Sequence, residues 1–596
     1  MDDLNPQQLE AVTSIDRATV VLSCPGSGKT KVVTSKVHYI NKTHPGASIC
    51  CTTFSKEGSE EMKERISRGF DHLPTNIKVS TFHSLCYNLV RSQYGKPNMI
   101  RGYERNHLIK QVIEEFGLAL KTKELISIID KIPTNSESTV VEPVYIQSFN
   151  RYIELLNASG KLDFNSLLVI AVNDLESGKI SPLPFDYLIC DEAQDSDNLM
   201  LRWLRVHVAN GSIPTIMLDD DQTLYSFRNS LGVEISRFAA SEFDAKIIRM
   251  GTNYRSHEEI LAKAGKLITH NLNREDKDLI SHKGPGGSVT LHTVQHQYGI
   301  PPLLGTLIDG NFNDWFILCR TNIDLLTVSA HLVEIGLPHY LASGKGLFEQ
   351  DKVANYLGLL QHIDNPTDLS SDMLLTTLGA NRDAKDSIIK RYGSVTKFLT
   401  LVEPIESGVA PSRLIDAVND LRKRIDAWKE LALNKRFSAI CKQAARFSAK
   451  YERTDNGKTL IEMTGNILAS SLKGSIKQRL NALEKKQKEE KKNGISLLTA
   501  HASKGLEKPN VIIWNLSENS FPAKPDEDAN DTEVAAHFEE ERRILYVAMT
   551  RAETQLHLIF QRKKEGIRSN TYFEPSQFLV NLGYNPKTIL ESLKSD

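Results

Sequence analysis

Short runs of aliphatic and β-branched residues recur along the chain, each closing on a polar or charged cluster. The first set is "TVVLSC" (19–24), "SICCTTF" (48–54), "DYLIC" (186–190) and "TIMLDD" (215–220). Runs this short, apolar on both faces, predict buried parallel strands, and open α/β sheets place ligands at the carboxyl ends of such strands. A second set, "WFILCR" (315–320), "SLLTA" (496–500), "VIIWNL" (511–516) and "LHLIF" (556–560), predicts a second α/β lobe. Residues 85–185 separate strands of the first lobe and carry a 3.6-residue period, as in "LIKQVIEEFGLAL", which predicts a helical insertion. Residues 366–494 do the same in the second lobe. There Leu414, Val418, Leu421, Ile425 and Trp428 fall on one helical face behind Ser412, the expected N-cap. The charge run "EKKQKEEKK" (484–492) reads as a solvated helix or linker.

Composition adds exclusions. A chain of 596 residues exceeds one hydrophobic core and predicts several folding units. No apolar run approaches the roughly 20 residues of a membrane helix, so no membrane partner is expected. The polar, acidic start "MDDLNPQQLE" does not read as a secretory signal. Seven scattered cysteines without a CxxC pair argue against a disulfide framework, a zinc site or an iron–sulfur cluster, and predict a cytoplasmic protein. The net charge of −1 says little about nucleic acid, because a protein can confine its basic residues to one inner surface.

Candidate chemistry begins where the first strand ends. In "VVLSCPGSGKTKVV" (20–33) a strand runs into Pro25, Gly26, Ser27 and Gly28, then Lys29 and Thr30 open a helix. Backbone N–H groups of such a loop cradle phosphates, Lys29 reaches the β/γ-phosphates and Thr30 holds Mg²⁺. Ser23 stands where the pattern's first glycine is usual, and is small enough for the turn. "YLICDEAQD" (187–195) supplies the complement: Asp191 for the Mg²⁺ shell and Glu192 as general base for the attacking water. In "LDDDQTLYSFRNS" (218–230) Gln222 is placed to touch the γ-phosphate or its water, while Tyr225, Phe227 and Arg228 suit stacking on bases. Arg255 in "GTNYRSHEEI" and Arg551 in "EEERRILYVAMTRAETQ" are candidates for stabilising charge on the transferring phosphoryl group.

With these segments the sequence resembles the UvrD/Rep/PcrA family of superfamily 1 DNA helicases. "LNPQQLEAV" (4–12), "TTFSKEGSEEMKERI" (52–66), "VSTFHSLCYNLV" (79–90) and "KLDFNSLL" (161–168) match first-lobe motifs. "CRTN" (319–322), "FEQDKVANYL" (348–357) and "NPTD" (365–368) match second-lobe signatures. "LLTAHASKGLEKPNVIIWNLSENSFP" (497–522) and "RRILYVAMTRA" (542–552) are the most specific. The resemblance implies an α/β fold with two RecA-like P-loop NTPase lobes built on parallel sheets, each carrying a largely helical inserted subdomain. The expected division is 1–84 and 186–250 for the first lobe, 85–185 for its insertion, 251–365 and 495–575 for the second lobe, 366–494 for its insertion, and 576–596 for a tail.

It also implies an ATP-dependent helicase moving 3′→5′ on single-stranded DNA and acting at junctions with duplex, with ATP and Mg²⁺ as cofactors. Gln8 would read the adenine, Tyr254 would stack on it, and Glu507 would contact the ribose. Thr53, Phe54, Phe82, His83, Tyr225, Phe227 and Arg228 would line the DNA track, and His501 and Lys504 would couple DNA contacts to the nucleotide. The chain departs from the family at Lys56-Glu57 (usually Asn-Lys), Ala193 (usually aromatic), Leu218 (usually glycine) and Phe227 (usually tryptophan). No nuclease motif follows the last helicase segment. An alternative stays open at this point, an ATP-gated subunit that senses DNA and regulates an unidentified protein partner. An RNA-directed relative is a third reading, disfavoured because "LDFNSLL" and "HASKGLE" resemble the DNA branch.

Overall fold

The structure, a computed structural model, describes residues 3–70, 72–134, 141–224, 230–342, 346–401, 405, 408–470, 472–489, 493–565 and 570–593, with the backbone alone at 484–489, 564–565 and 570. The chain forms two compact units, Met1–Gly287 with Pro525–Thr550, and Ser288–Lys524 with Arg551–Asp596. Residues 251–287 and 525–550, expected in the second lobe, therefore lie in the first unit.

The first unit is built on six parallel strands: β1 (Thr19–Ser23), β2 (Ile49–Thr53), β3 (Ile77–Thr81), β4 (Tyr187–Cys190), β5 (Ile213–Leu218) and β6 (Lys246–Met250), in the order β3-β2-β4-β5-β1-β6. Every residue of β1, β2 and β4 is buried, which explains why their sequences run continuously apolar instead of alternating. The order puts β4, β5 and β1 side by side. Since neighbouring strands lie about 4.8 Å apart, the turns leaving these strands are held within about 10 Å of one another. That adjacency gathers segments that are far apart in sequence. A short parallel pair, β7 (Thr252–Asn253) with β8 (Ile280–Ser281), follows β6.

Helix α1 (Pro6–Thr13) is capped by a reciprocal Asn5/Gln8 box and α2 (Lys29–Thr43) follows the glycine loop. Then come α3 (Lys56–Ser67), α4 (Phe82–Tyr94), α5 (Gly102–Phe116), α6 (Thr122–Lys131), α7 (Pro143–Ala158) and α8 (Phe164–Glu176). The expected helix at 108–120 stops early, because Gly117 turns left-handed at φ 61° and closes α5. Helices α5, α6 and α7 bury Ile109, Val112, Leu125, Ile129, Tyr152 and Leu156 in a core of their own.

The second unit has β9 (Ser288–His296), β10 (Trp315–Cys319), β11 (His339–Leu341), β12 (Ile495–Thr499), β13 (Lys508–Ile513), β14 (Ala552–Glu565) and β15 (Asn570–Tyr572). The order is β11-β12-β10-β13-β14-β15 with β9 also on β14, and among the described residues only β15 runs antiparallel. One hydrophobic core spans Leu326 to Leu483 and unites the helix Asn322–Ile335 with the helical insertion. In that insertion the helix Ser412–Leu433 buries Leu414, Val418, Leu421 and Trp428, with Ile425 partly buried. Ser412 is not its N-cap: Pro411 holds that place and Ser412 is already helical, so its hydroxyl makes no capping bond. Among the described residues no helix is long and apolar enough to cross a membrane.

Candidate active site

The loop after β1 turns on two glycines with positive φ, Gly26 at 64° and Gly28 at 82°. Space constrains them as well as conformation. A Cβ on Gly26 would lie 2.7 Å from Arg255 Cβ, and one on Gly28 would lie 2.9 Å from Gln8 Nε2. The loop is thus wrapped by α1 on one side and the β7 turn on the other. Gln8, 2% exposed, donates from Nε2 to Ser27 O (2.8 Å), and Asn5 Nδ2 donates to the Tyr254 hydroxyl (2.8 Å). Asn253, fully buried, donates to Pro25 O (2.5 Å) and accepts from the backbone N–H groups of Arg255 (2.8 Å) and Ser256 (2.7 Å). Arg255 Nη1 in turn donates to Thr550 O (3.2 Å).

Lys29 opens α2 and donates to Glu192 Oε1 at 2.8 Å. Burial disfavours its charge, but Glu192, Asp191 and Asp219 outweigh that and hold its pKa above the ordinary lysine value. Asp191 follows the last residue of β4, and Glu192 adopts a left-handed backbone at φ 53°. For a residue with a Cβ that conformation costs on the order of 1–3 kcal/mol and tends to mark functional sites. Gln194, fully buried, donates to Glu192 Oε2 and accepts from the backbone N–H of Asp219 (3.2 Å). Gln222 donates to Asp219 Oδ2 at 2.5 Å. The strand order therefore brings Lys29, Glu192 and Gln222 into one hydrogen-bonded run.

The loop fits a nucleotide triphosphate with Mg²⁺. Ser27 Oγ is buried without a partner, and no side chain among the described residues caps α2 at Gly28, so its first N–H groups point into the cradle. Thr30, in the first turn, and Asp191 offer the hydroxyl and carboxylate oxygens that a hard cation takes.

In the second unit Arg551, 1% exposed, donates from Nη1 to Leu506 O (3.3 Å), and its carbonyl accepts from Lys508 N (3.1 Å). His501 begins the turn that follows β12, Lys504 is half-buried, and Glu507 is exposed.

The predicted DNA residues divide. Tyr225, Phe227 and Arg228 lie outside the described residues. Phe54 is 36% exposed, whereas Thr53 is buried and bonds Ser55 O (3.0 Å). Phe82 is a correction: it is buried in the core, edge-on to Trp203 with ring centroids 6.0 Å apart, so it anchors α4 and leaves His83 at the surface. A cavity of about 300 Å³ opens beside His83, lined also by Ser84, Tyr87, Asn88, Phe164 and Leu167. Phe164, 68% exposed at the start of α8, was not singled out by the sequence, although it sits inside the "KLDFNSLL" motif. A larger cavity of about 540 Å³, lined by Tyr103, Glu104, His107, Lys110 and Lys161, holds none of the predicted residues. Asn5, Gln194 and Asn253 were also missed, although each stands within a quoted motif.

Two departures from the family pattern share one cluster. Ala193 and Leu218 are both buried in the core formed with Val20, Leu22 and Ile216. A small residue for a large one and a large one for a small one offset each other there in volume.

A glycine cradle between a buried strand and a helix, faced by a lysine-bound glutamate, defines a P-loop nucleoside triphosphatase site. Family comparison takes this further. Residues 4–242 match the UvrD/REP helicase N-terminal domain and residues 248–563 the UvrD-like helicase C-terminal domain. The chain belongs to the UvrD-like helicase family and is an enzyme of that class. It is 24% identical to the ATP-dependent DNA helicase PcrA of Bacillus subtilis, covering 100% of this chain and 87% of the relative. It is 25% identical to DNA helicase II of Escherichia coli (100% and 89% covered) and 24% identical to the ATP-dependent DNA helicase Rep of the same organism (97% and 94%).

Proposed function

We propose that the protein couples hydrolysis of Mg-ATP to 3′→5′ movement along single-stranded DNA and to strand separation at junctions with duplex. One observation carries the hydrolytic part: Lys29, Glu192, Gln194, Asp219 and Gln222 share a single run of hydrogen bonds. In this reading Lys29 binds the β/γ-phosphates and Glu192 takes a proton from the attacking water. Gln222 orients that water or the γ-phosphate, and Arg255 and Arg551 stabilise charge on the transferring group. Thr30 and Asp191 would hold Mg²⁺, which when bound neutralises phosphate charge. Gln8 and Tyr254 serve the base and Glu507 the ribose.

On the DNA side the reading uses Thr53, Phe54, His83, Tyr225, Phe227, Arg228, His501 and Lys504, and the cavity beside His83 adds Tyr87 and Phe164. Stacking on such rings is worth about 1–3 kcal/mol per base and tolerates any sequence, so grip is strong enough to bias a step and weak enough to release. Phosphate contacts make binding weaken with salt. The test measures ATP turnover with and without single-stranded DNA, and strand separation on 3′- and 5′-tailed duplexes. The expected result is DNA-stimulated turnover with unwinding from the 3′ tail. Turnover indifferent to DNA, or unwinding from the 5′ tail alone, refutes the proposal.

A further inference from the structure

Three consecutive carboxylates leave β5, and all three are buried: Asp219 0%, Asp220 2% and Asp221 0% exposed. Their oxygens lie within 4.8 Å of one another, a grouping that in isolation suggests a divalent cation. The place is taken by an ammonium. Lys277 Nζ is 2.6 Å from Asp219 Oδ1, 2.5 Å from Asp220 Oδ1 and 3.1 Å from Asp221 Oδ2. An ammonium has three donors, and here there are three acceptors. Arg274 holds Asp221 through two further bonds of 3.0 and 2.9 Å, and Glu275 N donates to Asp220 Oδ2 at 2.7 Å. No motif used above contains Lys277.

From Asp219 the contacts continue into the hydrolytic groups. Its Oδ2 accepts from Gln222, its backbone N–H donates to Gln194, Gln194 donates to Glu192, and Glu192 accepts from Lys29. The Asp219 carboxylate is therefore shared: one oxygen is fixed by Lys277 and the other aims the Gln222 amide.

We propose that Lys277 is a positioning residue for ATP hydrolysis, a built-in cation that fixes Asp219 so that Gln222 and Glu192 keep one mutual geometry. The proposal rests on the reading of Glu192 and Gln222 as hydrolytic groups. A merely structural lysine would affect folding and nucleotide binding together. A positioning lysine affects turnover and leaves nucleotide affinity in place.

The test uses the full chain carrying Lys277→Met with Asp220→Asn, which removes one charge of each sign. Binding of a fluorescent ATP analogue and single-strand-stimulated turnover are both measured. Affinity is expected to stay within about threefold while kcat falls about 100-fold, the loss typical of a displaced catalytic group. Adding Gln222→Ala to that variant is expected to cost less than about threefold more, because the two substitutions remove one shared function. Wild-type turnover in a folded variant, or losses that multiply with Gln222→Ala, overturns the proposal. If the double variant does not fold, Lys277→Arg keeps the charge but not the tripod geometry, and the same split between affinity and turnover decides. Glu192→Gln, run in parallel, separates the two levels. If it retains turnover, the underlying reading fails. If it loses turnover while the Lys277 variants keep theirs, only this proposal fails.

Discussion

Replacing Glu192 with glutamine exchanges one oxygen for a nitrogen and removes the charge facing Lys29. The side chain keeps its size, and its one amide oxygen, held toward Lys29, still accepts from the lysine while Gln194 loses its acceptor. Two effects of opposite sign follow. Loss of a general base lowers kcat by about 10²–10⁴-fold. Nucleotide affinity moves the other way, because Lys29 is shared between Glu192, at 2.8 Å, and any phosphate in the loop. The pair is partly shielded, with side-chain exposures of 13% and 31%, and a hydrogen bond between charged groups in such a place is worth about 1.5–3 kcal/mol. A neutral amide retains about half of that, so releasing the lysine favours phosphate by about 1 kcal/mol, or roughly fivefold in Kd. Equilibrium binding of a fluorescent ATP analogue and steady-state turnover measure both quantities on one preparation. Binding tightened or unchanged with turnover almost abolished is the expected pair. Turnover within tenfold of wild type, or affinity reduced in step with turnover, would refute the reasoning.

Gly28→Ala is expected to cost about 1–2 kcal/mol from the left-handed backbone alone and to raise KM for ATP by displacing Gln8, measured by melting and steady-state kinetics. Ala193→Phe alone is expected to destabilise by about 1–3 kcal/mol through overpacking, and Leu218→Gly in the same chain to recover much of that loss in thermal melts. Lys36, 1% exposed, donates to the carbonyls of Ala11 in α1 and of Ser14, which caps that helix, and burial pulls its pKa down from 10.5 to about 7 against the opposing pull of Asp16. Between those values the unfolded chain binds the extra proton. Stability relative to Lys36→Met should therefore rise by about 1.4 kcal/mol per pH unit from pH 7 toward 10 and be lost as pH falls, and a flat difference in urea melts would contradict this.

What the sequence made legible follows the physics of each element. Parallel strands buried on both faces must be apolar throughout, so β1, β2, β4, β5, β10 and β12 could be located by composition, and their polar ends pointed to the chemistry. Gly26 and Gly28 were legible because only glycine suits both a positive φ and a neighbour within 3 Å of the missing Cβ. Asn253, Gln194 and Lys277 were not, because a buried hydrogen-bonding role depends on what faces the residue across the fold, and an Asn, Gln or Lys in a polar stretch reads as surface. Phe82 failed the other way: the family resemblance carried it to the DNA track with the rest of its motif, and only the fold sets it edge-on to Trp203 in the core. Strands β6 and β9 escaped for a related reason: their burial is partial or alternating, and they lack the continuous apolar run that marks the others.

The expected boundary at residue 250 has the same cause, and the charge cluster explains why the chain does not divide there. Burying three adjacent aspartates is tolerable only where cations meet them, since an unpaired buried charge costs several kcal/mol. Both cations, Arg274 and Lys277, lie beyond residue 250, so the segment after β6 is an electrostatic requirement of the strand that precedes it. The helix Asp531–Met549 is tied to the same segment. Arg543 donates to Asn273 O at 2.8 Å, Asn271 donates to Glu539 O at 2.9 Å, and burial drives the Tyr546 pKa well up beside Asp219 and Asp221. A fragment ending at residue 250 would strip those carboxylates of the two cations that pair with them directly, leaving only Lys29 acting on Asp219 from further off. It should fail to fold at neutral pH, whereas a fragment extended to residue 287 would restore both cations. Equal solubility and equal melting of the two fragments would show that the aspartates are neutralised by something other than Lys277 and Arg274.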